Sequence, residues 1–165
     1  MEFFDVVDKN RKNLNYTKER GSQLLEHEYN EGIEVWIFNN NKLLLTKRSL
    51  NKSHPGEWEV PGGCSQSHES SFDTLKREIG EEIGIELSNN DVTLLGTKLY
   101  KKQFVDIYKS NIVVNIKDIK LQEDEVINVK FVTKKEFLEM NDNEEIVKSV
   151  FERYKFIENE LEKDW

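Results

Sequence analysis

The chain has 165 residues, 34% of them charged and 36% hydrophobic, with a formal net charge of −8. That length suits one domain with a real core, and the acidic balance argues against a generic binder of nucleic-acid polymers or membrane surfaces. The lone Cys64 excludes an internal disulfide and fits a reducing compartment. No apolar run approaches the roughly 18 residues of a membrane span, and no signal-peptide pattern opens the chain, so a cytoplasmic protein is expected.

Residues 2–8, EFFDVVD, predict a strand, followed by a polar turn over 9–12. Segment 13–28 has no clean period and predicts no element. From Tyr29 to Phe38 the run of Ile33, Val35, Trp36, Ile37 and Phe38 predicts a strand. Asn39, Asn40 and Asn41 then make the turn of a hairpin whose second strand covers 42–47. A polar loop over 49–57 leads to a short strand, Trp58-Glu59-Val60, running into Pro61-Gly62-Gly63.

A helix is expected next, from the Ser70/Asp73 capping box to Gly84, which suits a left-handed stop. Strands follow over 92–100, 104–116 and 126–132. Thr133 with Glu136 caps a short helix to about Met140, and a last helix runs from about Asn143 to Glu162. No repeat, low-complexity tract or linker is evident. These strands and helices in chain order predict an α/β fold with a mixed sheet flanked by helices, as one domain over 1–165, its core at about 30–140 and a C-terminal helix at 143–163.

The helix over 70–84 carries the chemistry. Glu78, Glu81 and Glu82 fall within roughly 100° of arc, beside an apolar stripe of Phe72, Leu75, Ile79 and Ile83. Two carboxylates about 5 Å apart repel by roughly 3 kcal/mol at an effective dielectric near 20. A divalent cation held by oxygen ligands would turn that repulsion into binding, and hard carboxylates suit Mg²⁺ or Mn²⁺. A merely solvated acidic face is the plainer alternative.

Gly63, five residues, Glu69, seven residues, then Arg77-Glu78-Ile79-Gly80-Glu81-Glu82-Ile83-Gly84-Ile85 resembles the signature of the Nudix hydrolases without a mismatch. The resemblance implies an α/β/α sandwich and a Mg²⁺- or Mn²⁺-dependent hydrolase of small-molecule diphosphates. Metal-activated water would attack one phosphorus of a P–O–P bridge in a nucleoside diphosphate linked to another group. Glu78, Glu81 and Glu82 would hold the metal, joined by the backbone carbonyl of Gly62. Glu69 would support this helix from behind the ligands, and Arg77 would orient a glutamate. Either a monomer or a homodimer is compatible.

Beyond the motif, Glu125 in the run Glu123-Asp124-Glu125 is the candidate proton acceptor, with Glu78 as the other carboxylate suited to the role. Lys47 and Arg48, at the end of the hairpin, are candidates to bind phosphate. Trp36, Tyr100, Phe104 and Tyr108 are candidates to stack on a base, or else core residues. The stretch Tyr29–Trp58, with Lys47-Arg48-Ser49 and Lys52…Pro55-Gly56-Glu57-Trp58, also resembles the isopentenyl-diphosphate isomerases of the same superfamily. In that comparison Gly62 stands where those enzymes carry their cysteine, Cys64 replaces a metal histidine and Asn30 a further one. An isomerase-like hydrolase is therefore the reading, with an isomerase or a non-catalytic nucleotide-binding module as alternatives.

Overall fold

β3 (Asn30–Asn39) carries apolar residues on both faces, as a strand covered from two sides requires. The computed structural model, which describes residues 1–165, shows both covers. Ile33, Val35 and Ile37 pack with Leu75, Ile79 and Ile83 of α1 (Ser71–Ile83). Trp36 and Phe38 pack on the opposite face with Phe137 of α2 (Lys134–Asp142) and Val150, Tyr154 and Ile157 of α3 (Lys148–Leu161). Two cores on opposite faces of one sheet make the expected α/β/α sandwich. Leu75, Ile79 and Ile83 are fully buried, and at roughly 1.5–3 kcal/mol each their burial anchors α1 firmly enough to carry buried charge on a neighbouring arc.

The sheet is mixed. β3 runs parallel to β8 (Gln103–Ser110), from Asn30↔Gln103 to Ile37↔Ser110, and β8 is antiparallel to β7 (Val92–Tyr100). β3 meets β4 (Lys42–Arg48) only at the turn, in the pairs Phe38↔Leu43 and Asn39↔Lys42. Asn40 and Asn41 have φ of 49° and 59°, the left-handed pair that a tight hairpin needs. Beyond the turn the two strands part. β3 continues with β6 (Gly62–Cys64), while β4 continues with β5 (Trp58–Glu59) and β9 (Val126–Val132). The chain crosses between these halves at Val60 and Pro61.

Four elements differ from expectation. Gly62 and Gly63, expected in a loop after Pro61, belong instead to β6, whose backbone pairs antiparallel with β3. Segment 13–28, where no element is expected, contains β2 (Asn13–Glu19), paired antiparallel with β1 (Phe3–Val7) as a separate two-stranded sheet. Its side chains are largely exposed, so no apolar alternation marks it. The strand expected over 104–116 stops at Ser110, and a short 3-10 turn occupies Ile116–Asp118. The last helix begins at Lys148 rather than Asn143. Glu144 has a φ of 59°, Trp58 N–H donates to the Glu145 carbonyl and Val147 N–H to that of Trp58, so tertiary pairing takes this segment from the helix.

Candidate active site

α1 begins and ends as its sequence dictates. Ser70 Oγ accepts from the Asp73 amide (3.1 Å), and Asp73 accepts from the Ser70 amide (3.1 Å). Gly84 closes the helix at a φ of 70°, a conformation that resists a side chain. The Glu82 and Ile83 carbonyls then accept from the amides of Gln122 (3.1 Å) and Lys120 (3.2 Å), which fixes the incoming loop. Glu78 and Glu82, one turn apart, are buried, at 8% and 3% exposure. Glu81 points outward, its side chain 53% exposed.

Arg77 organises the near side of this helix. Its Nε and Nη2 donate to the two oxygens of Glu69 (2.6 and 3.0 Å), Nη1 to Glu78 (2.9 Å) and Glu81 (3.3 Å), and Nη2 also to the Cys64 carbonyl (3.0 Å). Burial pushes the Glu69 carboxyl up, but the Arg77 bonds, the Gln66 amide and the Thr74 hydroxyl outweigh it and hold Glu69 below the usual carboxylate range. Glu69 is thus a charged bracket for Arg77. Burial raises Glu78 against the pull of Arg77.

Glu82 is pushed up to about 8 by burial and by the charge of Glu59, with Glu78 and Glu125 adding to it and Lys52 opposing. Lys52 is its one near cation: Nζ lies 3.8 Å from Glu82 Oε1 and is ion-paired with Glu125. The loop that carries Glu125 is tied to the end of β4, through Ser49 N–H to the Glu125 carbonyl (3.0 Å) and Ser49 Oγ to the Asp124 carbonyl (2.6 Å). The structure therefore brings Glu125 and Glu82 to the same ammonium group, that of Lys52.

Where β3 and β4 part, a cleft of about 290 Å³ opens, lined among others by Glu34, Arg48, Lys52, Glu59, Gly63 and Arg153. Arg48 is there as expected, but its Nη1 is committed to both oxygens of Glu59 (2.7 and 2.8 Å) and its Nε to the Ser53 carbonyl (2.6 Å). Lys47 lies over the Trp58 ring at 5.6 Å, away from the cleft, because adjacent strand residues face opposite sides. Of the aromatic candidates, Tyr100 lines the cleft. Trp36 is fully buried, Tyr108 is buried with its hydroxyl donating to Ser71 Oγ (2.8 Å), and Phe104 packs on Tyr29. Gly62 lies in β6 opposite Glu34. Cys64 Sγ accepts from Gln103 Nε2 (3.2 Å).

Sequence reasoning passes over Glu34, Glu59 and Arg153. Glu34 is buried, accepts from Arg153 Nε (2.6 Å) and Trp36 Nε1 (3.0 Å), and burial raises its carboxyl despite that arginine. Burial likewise raises Glu59 against Arg48. One signal does mark the two glutamates: each sits between two apolar residues, Ile33-Glu34-Val35 and Trp58-Glu59-Val60.

No three His, Cys, Asp or Glu side chains are gathered as around a metal ion. The donors nevertheless suit a hard divalent cation, since Glu78 and Glu82 are desolvated carboxylates one turn apart, opposed by Arg77, Arg20 and Lys52. What the arrangement offers chemically is an acidic cluster beside a cleft walled by guanidinium and ammonium groups.

The family description for the NUDIX domain matches residues 28–155. An uncharacterized Nudix hydrolase of Listeria monocytogenes is 30% identical over 154 residues, covering 92% of this chain and 91% of its own. An 8-oxo-dGTP diphosphatase of Proteus vulgaris is 39% identical over 57 residues, 34% of this chain and 49% of that protein. Among solved structures, a Deinococcus radiodurans protein superposes with a TM-score of 0.74 at 20% identity, covering 88% of this chain and 92% of that one. A MutT protein of Methanosarcina mazei gives 0.68 at 27%, covering 84% and 99%. The intact motif on α1, the sandwich that carries it and these likenesses agree: the chain belongs to the Nudix hydrolases, enzymes that split diphosphate bonds with the help of a divalent metal.

Proposed function

We propose that this enzyme uses Mg²⁺ or Mn²⁺ to hydrolyse the P–O–P bridge of a nucleoside diphosphate linked to a further group. The observation that carries the reading is the juxtaposition of Glu78 and Glu82, buried one turn apart, with a cleft whose walls include Arg48, Lys52 and Arg153. Glu78, Glu81 and Glu82, with the Gly62 carbonyl, are the groups to hold the metal. When bound, a divalent cation supplies Lewis acidity that acidifies water and offsets charge on the departing phosphate.

The chain's own groups account for the rest. A water oxygen forms a bond to one phosphorus, the bridging P–O bond breaks, and the leaving phosphate takes that electron pair. Glu125, ion-paired with Lys52, accepts the water's proton. Lys52 and the cleft arginines favour the negative charge of the substrate and of the leaving group. Arg77, bracketed by Glu69, keeps Glu78 turned toward the cluster.

The test is a panel of nucleotide sugars, dinucleoside polyphosphates, ADP-ribose, CoA and nucleoside triphosphates, each with Mg²⁺ and Mn²⁺, assayed for phosphate-bearing products. Metal-dependent cleavage of at least one supports the reading. No cleavage of any, by protein that binds the metal, would sink it.

A further inference from the structure

The β1–β2 hairpin precedes the matched segment 28–155 and contributes nothing to the cluster just described. It is nonetheless fastened to the site. The Ser67 amide, in the loop leading to α1, donates to the Phe3 carbonyl (2.8 Å), and Asp5 accepts from the Ser67 hydroxyl (2.6 Å) and the His68 amide (3.0 Å). At the other end Arg11 donates twice to Asp106 (2.7 and 3.0 Å) and once to Glu31 (2.7 Å). Held at both ends, the hairpin forms a fixed wall.

Behind that wall lies a second cavity of about 230 Å³, with Phe3 and Leu24 on its apolar side and Asn30, Ser65 and Gln66 on its polar side. Arg20 and Cys64 line both this cavity and the 290 Å³ cleft, so the two spaces adjoin. Each alone falls short of the roughly 300–1,000 Å³ typical of small-molecule sites, and together they reach it. Arg20 stands at the junction, oriented by Glu2 (2.6 Å), and its charge is felt at Glu78. Glu2 balances the Arg20 charge within the cavity but engages only Nη1 of the guanidinium, which leaves its other N–H groups to meet a phosphate at the junction. Phe3 is 43% exposed and lines the cavity together with the amides of Asn30 and Gln66 and the hydroxyl of Ser65.

We propose that this cavity is a subsite for the group joined to the diphosphate, specifically a flat, uncharged ring with hydrogen-bonding edges such as a nucleobase. Arg20 holds the phosphate that bridges the two spaces. The ring stacks on Phe3, since every base has a π-face to offer, and its edges meet Asn30 and Gln66. The proposal rests on the diphosphate-hydrolase reading for the orientation of the substrate.

The test uses probes without a P–O–P bond, so that turnover cannot intrude: AMP, GMP, CMP, UMP and inorganic phosphate, titrated calorimetrically. Wild type should bind at least one nucleoside monophosphate tenfold or more tightly than inorganic phosphate. Ser22→Trp, at an exposed position on the cavity rim, should abolish that preference, and Phe3→Ala should reduce it several-fold. Arg20→Gln should weaken nucleotide and phosphate alike. No preference in wild type, or a preference that survives both Ser22→Trp and Phe3→Ala, would overturn the subsite. A protein that shows the preference and loses it in these variants, yet hydrolyses no diphosphate compound, supports the subsite and counts against the reaction instead.

Discussion

Gly63 and Glu78 exclude any side chain from the space between them: a Cβ at position 63 would overlap the carboxyl carbon and both oxygens of Glu78. The glycine that opens the motif is thus an absence of atoms shaped to a glutamate. Gly63→Ala should displace the Glu78 carboxylate, lower kcat by on the order of 10² and raise the Mg²⁺ concentration needed for half activity. Steady-state kinetics across a Mg²⁺ titration checks this. Wild-type kinetics in the alanine variant would show that Glu78 acts from another position.

Arg77 makes bonds that a lysine cannot copy, because one planar guanidinium serves Glu69, Glu78 and the Cys64 carbonyl at once. Arg77→Lys should cost about 10- to 100-fold in kcat. Glu69→Gln should reproduce much of that loss, although the proposed mechanism gives Glu69 no contact with metal or water. Normal turnover in Glu69→Gln would reduce the Arg77–Glu69 pair to a surface contact.

Glu82, raised from 4.5 to about 8, makes the metal-free protein sensitive to pH in a defined sense. Between those values the folded state holds a proton that the unfolded state has released, so stability is full below about 4.5 and declines as pH rises toward 8. Glu82→Gln has no proton to lose and should flatten this decline, gaining on the order of 2 kcal/mol over wild type near pH 8. Its kcat should fall by on the order of 10² or more. Melting curves in EDTA at pH 5 and pH 8 decide it: parallel losses in both proteins would remove Glu82 as the cause.

Metal should reverse that decline. EDTA should abolish turnover, and Mg²⁺ at 100 times its dissociation constant should stabilise the fold by about 2.7 kcal/mol; at one fixed Mg²⁺ concentration the gain should be larger at pH 8 than at pH 6, because protons compete for the same carboxylates. Full activity in excess chelator would end the metal reading.

Glu125 and Glu78 separate by the shape of their Mg²⁺ titrations. Glu125→Gln should lower kcat with little change in the metal requirement, as loss of a proton acceptor does, and Glu78→Gln should impair both. Wild-type rates in Glu125→Gln would leave its pairing with Lys52 as a loop contact and move the base to Glu78.

The glutamate-bearing helix α1 is legible in full from the amino-acid sequence. Ser70, Asp73, Gly84, the apolar stripe and the three glutamates are local in sequence, and capping and 3.6-residue periodicity act within a few residues. The same holds for β3, β4 and their asparagine turn. Which carboxylates end up dry is not local. Glu78 and Glu82 are buried while Glu81 is not, because strands distant in sequence decide which arc of α1 is covered. Glu34 reaches Arg153 across 119 positions, and Lys52 meets both Glu82 and Glu125 only once the loop at 120–126 folds over the end of α1. β2 stays hidden because a largely exposed strand carries no hydrophobic alternation to read. The segment expected to begin α3 goes instead to Trp58, whose backbone offers it hydrogen bonds around Ile146 that helical periodicity cannot foresee. Propensity acts along the chain, whereas burial and charge pairing act through space, and the second cavity with Arg20 at its edge exists only in the folded chain.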